Sequence, residues 1–251
     1  MMANLQKGLR LAYKGQELIG EGAGFGVPVV SYINDTYFSG SSSLVFIDQG
    51  DSVKLRKEFL MDRVQRKELR GIRLENQRIR AAWRLLDKLY QGHRRLQSVS
   101  SIDMVKKMGI KFSFIDADPV GKVVVTYSIG RNRIDAKADF SLLRKNNLRK
   151  IFLLNEQGTK FFRRYSDSCG SSMIDGQIGA WRTVDTKSAN ITNAQGNVGF
   201  KLSKKTGSTL YVGRETVASS ADWIGLDYEL NSGVNAFEYT IRIMEHENQV
   251  E

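Results

Sequence analysis

The chain has 251 residues, a 41% hydrophobic share and 3 Trp, 9 Tyr and 12 Phe, enough apolar material for a packed core, which excludes wholesale disorder. Its formal charge of +11 is uneven, because residues 51–95 hold fourteen Lys and Arg against six Asp and Glu, a net +8. No run of about 18 apolar residues is present, so no transmembrane helix is expected; the N-terminal "MMANLQKGLRLAYKGQE" has no apolar signal region, Cys169 is the only cysteine, and together these point to the cytoplasm.

In chain order, "LRLAYK-GQ-ELIGEG" reads as two short strands about a tight turn. "GEGAGFGVPVV", residues 20–30, then runs into "VPVVSYI-ND-TYFSG" and "SSSLVFID", further short strands rich in Val, Tyr, Phe and Ile. The texture changes at Gly50. From Ser52 to Leu96 there is no proline, and Arg, Lys, Glu, Leu and Gln predominate, all good helix formers. Ile72, Ile79 and Leu86 recur every seven residues, and Trp83 and Tyr90 widen the stripe. This predicts one long basic amphipathic helix over about 53–96, with "SSIDMVKKMG" adding a further helical turn.

From Ile110 the β texture returns in ten candidate strands: "IKFSFIDAD", "KVVVTYSI", "RIDAKADFSLL", "KIFLLN", "TKFFRRYS", "IGAWRTVDT", "GNVGFKLS", "STLYVGRETV", "WIGLDYEL" and "NAFEYTIRIM". "DPVG", "GRN", "NEQG", "NAQG", "KTG" and "NSGVN" read as the turns between them. Short connections imply antiparallel neighbours, and the missing βαβ rhythm argues against a nucleotide-binding parallel sheet. The expected fold is mainly β, a large antiparallel sandwich or barrel-like sheet in a single domain, 1–251. A helical insertion, 53–109, would separate a small N-terminal sheet, 8–48, from the main sheet, 110–244.

Three patterns bear on function. Gly20, Gly22, Gly24 and Gly26 have period two and lead into a strand with Pro28, where a dinucleotide loop would open a helix; a bent strand beneath an aromatic is the preferred reading over a ligand loop. Asp227 and Glu229 alternate on one strand, which would bring Glu238 and Arg242 to the same face if it pairs through "NSGVN", with Glu215 joining from a neighbour. Paired carboxylates about 5–9 Å apart are what glycoside cleavage uses, whereas a solvated face with cross-strand ion pairs is the commoner use of such acids. Arg63, Arg66, Arg70 and Arg73 on the basic helix would meet an anion, a membrane surface or an acidic partner, against the plainer reading of a solvated helix face.

His93, His246 and Cys169 are too few for a Cys/His zinc site, so no metal and no cofactor are expected. "NDT" at Asn34 and "NIT" at Asn190 are read as chance glycosylation matches in turns. The first expectation for function is a non-catalytic β-scaffold binding an anionic or amphipathic ligand or a partner. A carbohydrate-active enzyme using Glu215, Asp227, Glu229 and Glu238 is the alternative, and nucleic-acid binding by the basic helix the third. A homo-oligomer through the Ile72/Ile79/Leu86 stripe is a further expectation.

Overall fold

A computed structural model describes residues 8–9, 12–13, 16–17, 23–48, 53–69, 72–73, 110–158, 161–173, 181–218 and 221–245. β1 (Ala12–Tyr13) and β2 (Gln16–Glu17) form a two-stranded ribbon. The first half of the main sheet comes from β3 (Gly24–Tyr32), β4 (Thr36–Asp48), β5 (Val53–Leu69), β6 (Ile72–Arg73), β7 (Ile110–Asp116), β8 (Lys122–Ile129) and β9 (Arg133–Asp139). β10 (Leu148–Gly158), β11 (Phe162–Asp167), β12 (Gly170–Met173), β13 (Arg182–Thr183), β14 (Ser188–Asn193), β15 (Val198–Ser203), β16 (Ser208–Ala218), β17 (Ala221–Asn231) and β18 (Ala236–Glu245) complete it.

These sixteen strands form one antiparallel sheet in the order β12-β11-β14-β15-β18-β9-β8-β5-β4-β3-β10-β17-β16-β13, with β6 and β7 also pairing β5. The sheet folds back on itself. Phe25 of β3 meets Phe200 of β15 edge-on at 5.1 Å, and Tyr228 of β17 packs on Phe237 and Tyr239 of β18 at 5.0 and 5.1 Å. One layer therefore runs from β11 to β8, the other holds β3, β10 and β17, and apolar side chains fill the space between them. Alternation is clear in β18, where Phe237, Tyr239 and Ile241 are buried and Glu238 and Arg242 are exposed.

No helix occurs among the described residues, and this overturns the helix expected over 53–96. Residues 53–69 are the 17-residue strand β5. Leu55, Lys57, Phe59 and Met61 are buried at alternate positions, a period of two hidden by Lys57, whose ammonium lies 5.2 Å from the Phe59 ring centroid. Helix-forming composition yielded to ladders on both sides, with β4 on one edge and β8 then β7 on the other. Ile72 lies in β6 opposite Leu69; Ile79, Trp83, Leu86 and Tyr90 lie outside the described residues. A pair of facing bulges sits where β5 changes partner: Gly40 and Asp62 both drop out of the β4–β5 ladder, and the Asp62 carboxylate accepts the Gly40 N–H at 2.8 Å.

Three smaller expectations also change. "NEQG" is not a turn, because β10 continues through Glu156↔Gly225, Gln157↔Ile224 and Gly158↔Trp223. Asn190 lies in a strand, β14, which was not foreseen. β17 and β18 follow one another in sequence but do not pair: β17 joins β10 and β16, β18 joins β9 and β15, and the "NSGVN" turn carries the chain across the core.

Candidate functional site

Gly24 and Gly26 belong to β3, with φ of +86° and +77°, and the β3–β10 ladder slips between Leu154 and Asn155. A Cβ on Gly26 would lie 2.5 Å from the Tyr127 hydroxyl and 3.2 Å from that of Tyr239, so only glycine fits both the backbone and the space. The fully buried Asn155 repairs the slip. Its Oδ1 accepts the Gly26 N–H at 3.1 Å and the Tyr239 hydroxyl at 2.9 Å, while Nδ2 donates to the Leu153 and Leu226 carbonyls. The Tyr127 hydroxyl donates to the Phe25 carbonyl at 2.6 Å. Burial pushes both phenol pKa values up. The Gly26 N–H is thus committed inside the protein, where a phosphate loop would need it free. Gly20 and Gly22 lie outside the described residues.

The acids divide between the two layers. Asp227 is buried on the outer face of β17 and its Oδ1 accepts the Asn155 N–H at 2.7 Å. Glu229, two residues on, pairs with Lys150 and raises the Tyr211 pKa together with that phenol's burial, which is the larger cause. Glu238 is exposed on the other layer, 2.8 Å from Lys137. Glu215 lies in β16 opposite Trp223, four ladder positions from the Tyr211↔Asp227 pair, about 13 Å along the strand. The four predicted acids do not converge. The acid that approaches Asp227 is Glu156, buried and absent from the sequence expectation because "NEQG" read as a turn. A Cβ on Gly225 would come within 3.0 Å of Glu156 Cγ and 3.1 Å of Asp227 Oδ1, so these two acids flank one bare glycine. Gly225 faces Gly213 across the ladder, and the Trp181 indole covers both. Two glycines opposed on adjacent strands are the sequence signal for such a covering ring, readable only once strand register is known.

The arginines are dispersed as well. Arg63 Nε lies 3.3 Å from Asp116 Oδ1 and Arg66 Nη1 lies 2.9 Å from Asp35 Oδ1, each pair joining β5 to a neighbouring segment. Arg73 is in β6, and Arg70 lies outside the described residues. With residues 53–69 in a strand, these side chains do not share a helical stripe.

The sequence reading did not single out the connected end of the β4–β5 hairpin, where β4 runs into β5. Leu44, Val45, Phe46 and Ile47 are consecutive, so they project to both faces of β4, and all four are about half-exposed or more, Phe46 at 62%. Val53 joins them from β5. On the core-side face, Phe46 lies open opposite a buried Leu55, so the apolar interior ends between the two strands. Beside the hairpin, Val53 pairs with Ile129 and the exposed β8–β9 turn carries Arg131. Of the seven exposed large apolar side chains among the described residues, five are on this hairpin; the others are Phe114 and Leu142.

No metal-holding group of three or more His, Cys, Asp or Glu occurs among the described residues, and no helix there is long and apolar enough to cross a membrane. No family model and no curated protein matches the sequence. Solved structures similar to the chain include the Slr1438 protein from Synechocystis sp. PCC 6803, with a TM-score of 0.34 and 11% identity over 94% of this chain and 73% of that one. A galactose mutarotase related enzyme from Lactobacillus acidophilus has a TM-score of 0.35 and 8% identity over 94% of this chain and 85% of that one. At these scores neither likeness bears on activity.

Proposed function

We propose that the chain is a non-catalytic β-scaffold that works by docking, with the β4–β5 hairpin taking up the apolar part of an amphipathic ligand or partner. The concentration of exposed apolar side chains on this one hairpin carries the reading, because contiguous exposed apolar surface marks interaction sites. The acids support it from the other side. Asp227 holds a backbone N–H, and Glu229 and Glu238 hold lysines, which are structural duties.

The test uses 1-anilinonaphthalene-8-sulfonate, itself an amphipathic anion. The parent should enhance its fluorescence saturably, and the double variant Leu44→Ser, Phe46→Ser should lose most of that signal with an unchanged melting temperature. Equal dye binding by the folded variant would overturn the hairpin as the docking element.

A second reading, hydrolysis of a polar substrate, has the Trp181 platform beside Glu156 and Asp227 in its favour. It requires turnover on a panel of nitrophenyl glycosides that Glu156→Gln abolishes while the fold is retained.

A further inference from the structure

β4 has one closed edge and one open edge. Its ladder to β5 runs from Tyr37↔Val64 to Asp48↔Lys54. On the other side only Thr36 and Tyr37 are paired, with Ser31 and Val30, beyond which β3 stays on β10 along its other edge and parts from β4. Among the described residues no strand covers this side of β4 beyond Tyr37, so the backbone groups of alternate residues in 42–47, those turned away from β5, face an edge that no described strand pairs. Such edges are ordinarily blunted by lysine, proline, bulges or inward charges. Here residues 36–47, "TYFSGSSSLVFI", contain no charged residue and no proline, in a chain whose net charge is +11. The bulges of β4 lie at the two ends of this stretch, at Gly40 before the apolar residues and at Ile47 where they end, and leave 41–46 in regular register.

We infer that this edge pairs with the same edge of a second copy, β4 against β4 in antiparallel register, joining two sheets across a two-fold axis. This rests on the docking reading above and names its partner. The uncharged edge is where two strongly cationic molecules approach with least repulsion. Opposed residues in an antiparallel ladder share a face, so in a two-fold pair of identical strands the axis passes through a residue, not between two. With the axis on Val45, Val45 opposes Val45 and Leu44 opposes Phe46 of the second copy, within the stretch that precedes the bulge at Ile47. That places an apolar cross-strand cluster on each face of the new ladder. With the axis on Phe46, Leu44 would oppose Asp48, so Val45 is the better centre. The hairpin suits a lipid surface less well. The sequence joining its two strands, residues 48–52, carries two acids, Asp48 and Asp51, and ionised carboxylates are costly to transfer into lipid.

The experiment measures mass in solution by sedimentation velocity over a range of protein concentrations and salt, for the full chain and two charge variants. The parent should show a monomer–dimer equilibrium that tightens as salt screens the like charges. Val45→Lys and Val45→Glu should each be monomeric with unchanged circular dichroism, since like charges would meet on the axis. Mixing the two variants should restore a dimer containing one copy of each. Phe46→Lys provides a second monomeric variant should either Val45 substitution disturb folding. A parent monomeric at every concentration that still binds the dye at the hairpin would overturn self-pairing and leave the docking reading standing. In that case, sedimentation with phosphatidylserine vesicles would identify a lipid surface as the occupant. A dimer that persists in both Val45 variants would place the interface elsewhere and sink the inference, whereas a hairpin that binds neither dye nor a second copy would remove both readings.

Discussion

Asn155 sits where three obligations meet. It replaces a missing ladder bond to Gly26, accepts the Tyr239 hydroxyl, and caps the Leu153 and Leu226 carbonyls. Replacing it by leucine preserves bulk and strands two buried donors. Each unsatisfied group costs roughly 1–3 kcal/mol, so Asn155→Leu should lower stability by about 2–5 kcal/mol, read as a fall in urea midpoint without a change in slope. Burial holds the hydroxyls of Tyr127, Tyr228 and Tyr239 neutral well past the ordinary tyrosine range. A folded-state pKa raised above the unfolded value of about 10 contributes stability that is complete below that pH and is lost as pH rises through the folded value. Stability should therefore fall above about pH 10, and these phenols should ionise only as the protein unfolds, which ultraviolet difference absorbance during an alkaline titration can follow. Early ionisation of all nine tyrosines in a folded protein would contradict the buried network. The sequence made the glycines visible as a place where backbone or ring would come close. It could not show that Asn155 completes the arrangement, because the partner lies 129 residues from Gly26.

At the scale of elements, β4 and β5 lie side by side with opposite fates. Phe59 on β5 is fully buried, while Phe46 on β4 is mostly exposed. Phe59→Ala should cost about 3–5 kcal/mol through lost burial and a cavity. Phe46→Ser should change stability by no more than about 0.5 kcal/mol, because it removes no packed contact in the monomer. Paired thermal melts of the two variants check this, and a large loss for Phe46→Ser at low protein concentration would show that the hairpin is covered within a single molecule. β5 was the least legible element. Its long helix-forming side chains belong to a strand because both its edges are hydrogen-bonded and every second residue from Leu55 to Met61 reaches the core, even Lys57. β8, by contrast, is rich in β-branched residues and β18 alternates apolar and polar residues, and the limits of both were readable almost to the residue. Acids were misplaced for a different reason: short turns mark where the chain reverses but not whether it returns to the same layer, so Glu238 was expected beside Asp227 when β17 and β18 face each other across the core.

At the scale of the whole molecule, the ladders that close the fold join its two ends in sequence. β10 lies between β3 and β17, and β8 lies between β5 and β9. A fragment comprising residues 110–251 keeps the twelve strands β7 to β18 and the β8–β9, β14–β15 and β16–β17 ladders, but strips one neighbour from both β8 and β10. It also removes the Gly26 N–H from Asn155 and the Phe25 ring from Phe200. Two long edges would then be bare and the core open along β3, a state prone to association rather than a smaller native domain. We expect this fragment not to melt cooperatively by itself, and to regain native-like circular dichroism only when fragment 1–109 is added. The intact chain should refold slowly, since pairings across more than a hundred residues must close before the core is sealed, and ladders of this kind place β proteins in the millisecond-to-second range or beyond. A sharp, reversible melt of 110–251 alone would mean that the C-terminal strands carry an independent core, and the single-domain reading would give way to two units.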